Sequence, residues 1–410
     1  MNIYQKNKMS YDIPDSLTLV KKRTQIEAAF DEENFDNVGG SEVLRCSWNT
    51  GEYMVSTKKS YLAIQLSVKS GVTSPFTFGS GSVMSIFRDI IIRSKSGVEL
   101  CRMNDPKIWN KIKWYYDTPS TRKDQIEGVS GFPSTLETMS YASPEPTDNR
   151  KYMFTIPLDF LSPLFNTIDG SEYLPSQLAE GLTFEFYMAQ LDTFCVMQGD
   201  PGFIPTQYNI HSVKFRLDGV ILNDKSLMEL QNRCHKKGLE WTCGGVYKQD
   251  IKRILGSEDV QNQINYSVSQ ALKADTVYQL STRTNLAQTD KSRFLLVSSE
   301  FQYRSGSDYF PMNRIKDTSV FKSEIYMQAV YTHPETFTGL TSFFDNTIYS
   351  ANLNLNDDLA LSGIIVNNSK TLEFLGMSTP EWSDIDVDVS TLLHYVKVIK
   401  IVGSNVSVAT

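Results

Sequence analysis

Short runs of alternating apolar and polar residues dominate this chain, and long amphipathic helices are rare. In 61–68, Leu62, Ile64, Leu66 and Val68 face one way while small and apolar residues fill the other face, which predicts a strand covered on both sides. The run 83–93, with Ile90, Ile91 and Ile92 at its heart, predicts a second strand. Ser94, Lys95, Ser96 and Gly97 then supply turn residues, and 98–101 alternates out of them, so the whole reads as a β-hairpin with Gly97 free to take positive φ. Further strands are expected at 152–156, 182–186 and 210–222, and in the second half at 263–268, 293–299, 364–367, 371–374 and 394–402.

Helical spacing appears in few places. Asp105 as N-cap and Pro106 at the first turn open a helix whose stripe is Ile108, Trp109, Ile112 and Tyr115. Asn223 and Asp224 cap a second over 225–237, with Leu227, Leu230 and Cys234 inward and Gly238 as the left-handed stop. A third is expected over 319–331, ending before Pro334. Near the start, Ile26 and Phe30 at i, i+4 fit either a short helix over 24–30 or a partly ordered tail. The Pro-, Ser- and Thr-rich stretch 118–150 reads as a long loop.

Mid-length strands with long irregular connections point to sandwiches, and helices are too few for an α/β fold. An echo suggests two copies of one unit. Leu182-Thr183-Phe184-Glu185-Phe186 answers Thr371-Leu372-Glu373-Phe374, and His211-Ser212-Val213-Lys214 answers His394-Tyr395-Val396-Lys397, 183 positions later. The two histidines then hold equivalent strand positions, which favours packing or hydrogen bonding over chemistry.

Composition narrows function. With 40 basic and 47 acidic side chains the net charge is −7, whereas a protein that works by neutralising phosphates carries a positive excess. Residues 1–40 hold five basic and seven acidic side chains, so they are no basic DNA-binding arm. No apolar run reaches the ~18 residues of a membrane span, and 1–12 lacks the apolar stretch of a signal peptide, so export by that route is not expected. Cys46, Cys101, Cys195, Cys234 and Cys243 are scattered and odd in number, which reads as reduced thiols.

The search for chemistry returns little. Only His211, His235, His333 and His394 are available as imidazoles, and no nucleophile elbow, phosphate-binding loop, zinc-protease helix or CxxC pair occurs. The glycines at 79–82 lack the lysine of a phosphate cradle. Cys234-His235 with Cys243 lacks a second zinc-ligand pair, so Cys234 is expected as a buried thiol. The one weak metal candidate is Asp384, Asp386 and Asp388, which an extended chain would place on one face; neither the glycine nor the terminal glutamate of a calcium loop follows. No catalytic residue and no cofactor site is assigned. A carbohydrate-binding β-sandwich of lectin or adhesin type, using those aspartates, and a glycosidase with facing carboxylates remain the rival readings.

The segment 86–100 (IFRDIIIRSKSGVEL) resembles one in the major capsid proteins of Polinton-like viruses and virophages, as do 154–165 (FTIPLDFLSPLF) and 173–178 (YLPSQL), in the same order as in the first of that family's two jelly rolls. The C-terminal half is similar more diffusely, around 361–364 and the final strand. The resemblance implies an all-β fold of two tandem eight-stranded antiparallel jelly-roll sandwiches with a few short helices. Its divisions would be an inward-facing arm at 1–41, a first jelly roll at 42–222, a linker helix at 223–238 capped at Asp224, and a second jelly roll at 239–410. It implies a subunit that trimerises into pseudo-hexagonal capsomers of an icosahedral DNA virus shell. Neighbouring capsomers, a penton protein, minor capsid proteins and an inner membrane or internal component near 1–41 are the partners it suggests, with no strong direct nucleic-acid binding. Because alternate connections of such a barrel emerge at one end, both termini and the linker should share one pole and the loops 69–83, 118–150 and 191–209 the other.

Overall fold

The computed structural model describes residues 20–36, 38–69, 75–78, 83–130, 141–142, 151–168, 170–190, 195–197, 207–252, 259–280, 294–316, 321–333, 346–354, 363–378, 382, 385–403 and 405–410. The first half contains β1 (Val20–Ala29), β2 (Val43–Ser47), β3 (Tyr61–Lys69), β4 (Phe87–Arg93), β5 (Glu99–Asn104), β6 (Tyr152–Pro157), β7 (Thr183–Met188) and β8 (Gln207–Leu222). Hydrogen bonding orders them β1-β8-β3-β6 in one sheet and β2-β7-β4-β5 in the other. The second half contains β9 (Leu239–Lys252), β10 (Asp259–Ile264), β11 (Val268–Leu280), β12 (Ser298–Ser305), β13 (Asp308–Ile315), β14 (Tyr349–Asn352), β15 (Leu372–Ser378) and β16 (Val387–Val402). Its sheets run β9-β16-β11-β14 and β10-β15-β12-β13. Counted within each half, both give the orders 1-8-3-6 and 2-7-4-5, which is the jelly-roll topology. The chain is a double jelly roll. The two sequence echoes fall on the seventh and eighth strands of each copy.

Four longer helices sit between strands: α1 (Pro106–Tyr116), α2 (Ser120–Ser130), α3 (Asp224–Lys236) and α4 (Phe321–Thr332). In β7 burial alternates strictly, with Phe184, Phe186 and Met188 inward, because a pleated strand sends successive side chains to opposite faces. The hairpin at Gly97 forms as expected, with φ 83° and its N–H donating to Ser94 O at 2.8 Å.

Several expectations give way. Residues 24–30 are not helical: β1 pairs antiparallel with β8 from Val20 to Ala29. A spacing of four is even, so it satisfies a two-residue period as well as a helical one, and Ala28, buried between Ile26 and Phe30, decides for the strand. The stretch 83–93 opens with a 3-10 turn at Val83–Ile86 before the strand begins. At 263–268 the chain ends one strand at Ile264 and begins another at Val268. The loop expected over 118–150 carries α2, while 131–140 and 143–150, like 79–82, lie outside the described residues.

Two caps also differ. Asp105 has left-handed backbone (φ 51°) and gives no side-chain cap; its carboxylate pairs with Lys248 and Lys107 instead. Asn223, not Asp224, caps α3, accepting from Ser226 N at 2.9 Å, and Asp224 pairs with Lys21 at 2.7 Å.

The two cores differ in chemistry. The first is built on Trp48, Phe184 and Phe215, with ring centroids 4.7–5.3 Å apart. The second uses Tyr278, Tyr303 and Tyr349, whose hydroxyls are all satisfied: Tyr278 meets Ser298 Oγ at 2.6 Å, Tyr303 donates to Tyr349 O at 2.7 Å, and Tyr349 Oη accepts from Ser298 N at 2.9 Å.

Backbone pairing also fixes the ends. Val20 pairs with Leu222, Leu239 with Ile401, and α3 closes onto the last strand through Cys234, whose carbonyl accepts from Gly403 N at 3.4 Å. At the other end Gln207 pairs with Lys69. There Cys195–Met197 pairs with Pro75–Phe78, which pairs with Tyr141–Ala142, so one small sheet joins the three loops expected at that pole.

Candidate functional site

The distinctive chemistry lies in the seam between the two jelly rolls. The outer face of the β9-β16-β11 sheet rests on the turns and helix that follow β5 and β6 in the first copy. Trp241 Nε1 donates to Leu164 O at 3.0 Å, Gly244 N to Asn166 O at 3.0 Å, and Ile168 N to Thr242 O at 3.2 Å. Lys397, buried in β16, donates to Leu100 O in β5 at 2.8 Å. Lys111 of α1 places its ammonium 4.3 Å from the Phe294 ring centroid. A cavity of about 210 Å³ remains, walled by Leu100, Trp109, Tyr247, Tyr266, Tyr395 and Lys397 among others.

At the C-terminal end of α1 the seam closes on a buried ionic cluster. Asp117, which ends α1, accepts from Lys273 Nζ of β11 at 2.9 Å and from His333 Nδ1 at 2.7 Å. His333 follows α4, and its Nε2 lies 2.9 Å from Asp275 Oδ1, which also accepts from Ser350 Oγ at 2.6 Å. His394 Nε2 approaches Asp275 Oδ2 to 2.9 Å without the alignment of a full hydrogen bond. Tyr116 donates to Asn346 O beside this cluster.

The charges are mutually determined. Burial alone would raise the Asp275 and Asp117 carboxyls. His333 outweighs it for Asp275, and Lys273 with His333 outweighs it for Asp117, so both stay below the usual carboxylate range. Burial would lower the His333 imidazole, and Lys273 at 2.9 Å opposes its charge, but Asp275 and Asp117 together raise it. His394 goes the other way: burial prevails over its contact with Asp275 and holds it down. With His333 protonated the cluster holds two positive and two negative charges, with a neutral His394 at its edge.

Ser350, His333 and Asp275 are a familiar trio of residue types, but the geometry is not that of a nucleophile. Asp275 receives both the serine and the imidazole, and all three side chains are at most 1% exposed, so no substrate reaches them. The arrangement pins α1 of one jelly roll to three strands and a helix end of the other.

The other candidate residues are dispersed. His211 in β8 is half-buried and lies 2.8 Å from Ser67 Oγ, and His235 is exposed on α3. Cys234 is buried against Ile401, whereas Cys243 lies in the seam opposite Lys397. Asp384 lies outside the described residues. Asp386 is half-exposed just before β16. Asp388 is half-buried in register with Lys252; burial raises its carboxyl, Asp250 and Asp386 add to the rise, and Lys252 and Lys248 oppose it. Among the described residues no group of three or more His, Cys, Asp or Glu side chains is placed to hold a metal ion. The seam cluster escaped the sequence reading, although Lys273 and Asp275, two residues apart on one face of the strand-like run 271–280, were a visible signal.

Two tandem jelly rolls are a fold this chain shares with solved viral major capsid proteins. The chain is similar over 95% of its length to the Faustovirus major capsid protein, covering 92% of that chain at 7% identity and a TM-score of 0.66. It is similar over all its length to a chain of the Sputnik virophage (93% of that chain, 10% identity, TM-score 0.63). The mavirus major capsid protein matches over 97% of this chain and 92% of its own, at 7% identity and a TM-score of 0.60. No protein-family model and no curated protein matches the chain.

Proposed function

We propose that this chain is a major capsid protein whose copies trimerise into pseudo-hexagonal capsomers of an icosahedral DNA virus shell, and that it resides in the virion. The observation that carries the reading is the repetition of one strand order in two halves, with whole-length likeness to capsid subunits at TM-scores of 0.60 and above. Three copies of a duplicated unit present six similar walls, which a hexagonal lattice needs. In this reading the first jelly roll runs to 222 and takes its first strand, Val20–Ala29, from the 1–41 segment, so the arm shortens to 1–19. Residues 223–238 are the linker, and 239–410 the second jelly roll.

The pole holding Val20, the linker and Val402 faces inward, where the arm meets neighbouring capsomers or an internal component such as a membrane. The loop pole faces out. Penton and minor capsid proteins complete the shell, and the subunit has no catalytic role. Negative-stain microscopy of the purified protein should give a trimer with hexagonal outline; a stable folded monomer at micromolar concentration refutes the proposal. Limited proteolysis of closed particles should cut within 118–150 before 1–40, and the reverse order overturns the orientation. Specific binding on a glycan array by that monomer would favour the lectin reading.

A further inference from the structure

One buried cation in the seam has no counter-charge. Lys397 on β16 is 7% exposed; its ammonium donates to Leu100 O at 2.8 Å and lies 5.7 Å from the centroid of the Tyr395 ring. An ammonium carries three donors, so this one has hydrogen-bonding capacity left over. The other charges on the walls of the seam cavity are matched. Arg102 donates to both oxygens of Glu99, at 3.0 and 2.7 Å, and Lys248 lies 2.9 Å from both Asp105 and Asp250. Among the described residues Lys397 makes no such pair, and the walls carry three cations against two carboxylates. A charge buried without a partner is unfavourable, and a bound anion relieves that penalty.

The cavity has room for more than an inorganic ion. Its volume is about 210 Å³, whereas an apolar cavity of about 150 Å³ already takes up benzene. Leu100 and Trp109 of the first jelly roll face Tyr247, Tyr266 and Tyr395 of the second across it. Tyr247 and Tyr266 stack with centroids 4.4 Å apart and planes within 7° of parallel. The hydroxyls of Tyr266 and Tyr395 are 3.2 Å apart; one proton joins the two oxygens, which leaves the other O–H to donate to a ligand. Tyr247, Tyr266 and Val408 are half-buried, so the cavity reaches solvent along the edge where the last strand, Asn405–Ala409, pairs with β16.

We infer that the seam cavity binds a small aromatic monocarboxylate, with the carboxylate on Lys397 and the ring against Trp109 and the tyrosines. A single ammonium matches a single negative charge, and Glu99 and Asp105 on the same walls disfavour a dianion such as phosphate. The rings favour an aromatic body over an alkyl one, since aromatic pairs gain beyond the area they bury. Such a ligand touches both jelly rolls at once. Binding to the folded chain therefore stabilises the seam and raises the melting temperature. Nothing in the inference depends on the capsomer reading.

The test is calorimetric titration of the full-length protein with phenylacetate, with phenethyl alcohol and phenethylamine as neutral and cationic controls. Phenylacetate should bind saturably, one per chain, and raise the melting midpoint as its concentration rises; the alcohol should bind about tenfold more weakly or less, and the amine not at all. Lys397→Met keeps the length of the side chain and should weaken phenylacetate binding about tenfold to a hundredfold, the span of a hydrogen bond to a charged group. Should that variant misfold, Val408→Trp decides: it fills the cavity from its half-exposed edge, leaves the Lys397 bond to Leu100 in place, and should abolish binding. No saturable binding of phenylacetate at millimolar concentration, equal affinity for the alcohol, or undiminished binding by Val408→Trp overturns the inference. Any of these results leaves the capsomer reading as it stands, because none measures the oligomer.

Discussion

Replacing Asp275 by Asn removes the charge on which the seam cluster turns. Asp275 is fully buried, and its Oδ1 takes both Ser350 Oγ at 2.6 Å and His333 Nε2 at 2.9 Å. Breaking one partner of a buried ionic pair costs about 3–5 kcal/mol, because the remaining charge stays in a poorly solvating site. For a unit of this size each kcal/mol lowers the midpoint by about 2–4 °C, so a fall on the order of 10 °C is expected. Calorimetry at fixed protein concentration, scan rate and pH 6 would measure it.

The pH profile carries the sharper test. His333 has a folded pKa raised above the usual ~6.5, so its contribution is complete below that pH and is lost as pH rises through the folded value. Asp117 and Asp275 are depressed, so theirs is present above ~4 and lost in acid. His394 is depressed and subtracts stability as pH falls through ~6.5, partly offsetting His333. Asp275 is the foremost influence raising His333, so D275N should flatten the alkaline decline as well as lower the midpoint. A change under about 1 kcal/mol, with the alkaline limb unaltered, would show that the cluster does not stabilise the seam in this way.

Trp241→Phe keeps an aromatic ring, smaller than the indole, but strands the Leu164 carbonyl, and should cost about 1–3 kcal/mol and speed proteolysis between the jelly rolls. Gly363→Ala puts a Cβ 2.3 Å from the Ala271 carbonyl oxygen, so backbone must move, and a loss of about 1–3 kcal/mol is expected in denaturant titration. Asn223→Ala removes the α3 cap and should cost about 0.5–2 kcal/mol, seen as faster amide exchange in the first turn of the linker. Burial pushes the Cys46 thiol up to about 12, so it should resist alkylation at pH 8 until the protein is unfolded, as mass spectrometry of labelled peptides would report.

The strands easiest to read in advance were those with one dominant signal. Ile90 to Ile92 and the alternating Phe184 and Phe186 marked central strands, and the turn at Gly97 tied β4 to β5. The 14-residue strand β9 went unread because Gly244 and Gly245 break its alternation. They also give way to the first jelly roll and to Tyr395: a Cβ on Gly245 would fall 2.4 Å from that ring. The glycines that hid the strand are what let it sit in the seam. The ionic cluster was illegible for a different reason. Asp117, Lys273, Asp275 and His333 are up to 216 residues apart, so only the packed fold shows that their charges meet. Asp105 illustrates the same limit, since its local context is that of a helix cap and its partner Lys248 lies 143 residues on.

The contrasting cores make the two halves optically distinct. Trp48, Trp109 and Trp114 belong to the first jelly roll, Trp241 to its contact with the second and Trp382 to the second, where buried Tyr278, Tyr303 and Tyr349 also crowd. With Trp382 replaced by Phe, indole emission follows the first half and the seam, while the buried tyrosines of the second half add their share to the near-ultraviolet dichroism. A single heating experiment recorded in both channels resolves whether the halves melt together or in sequence, with no label attached.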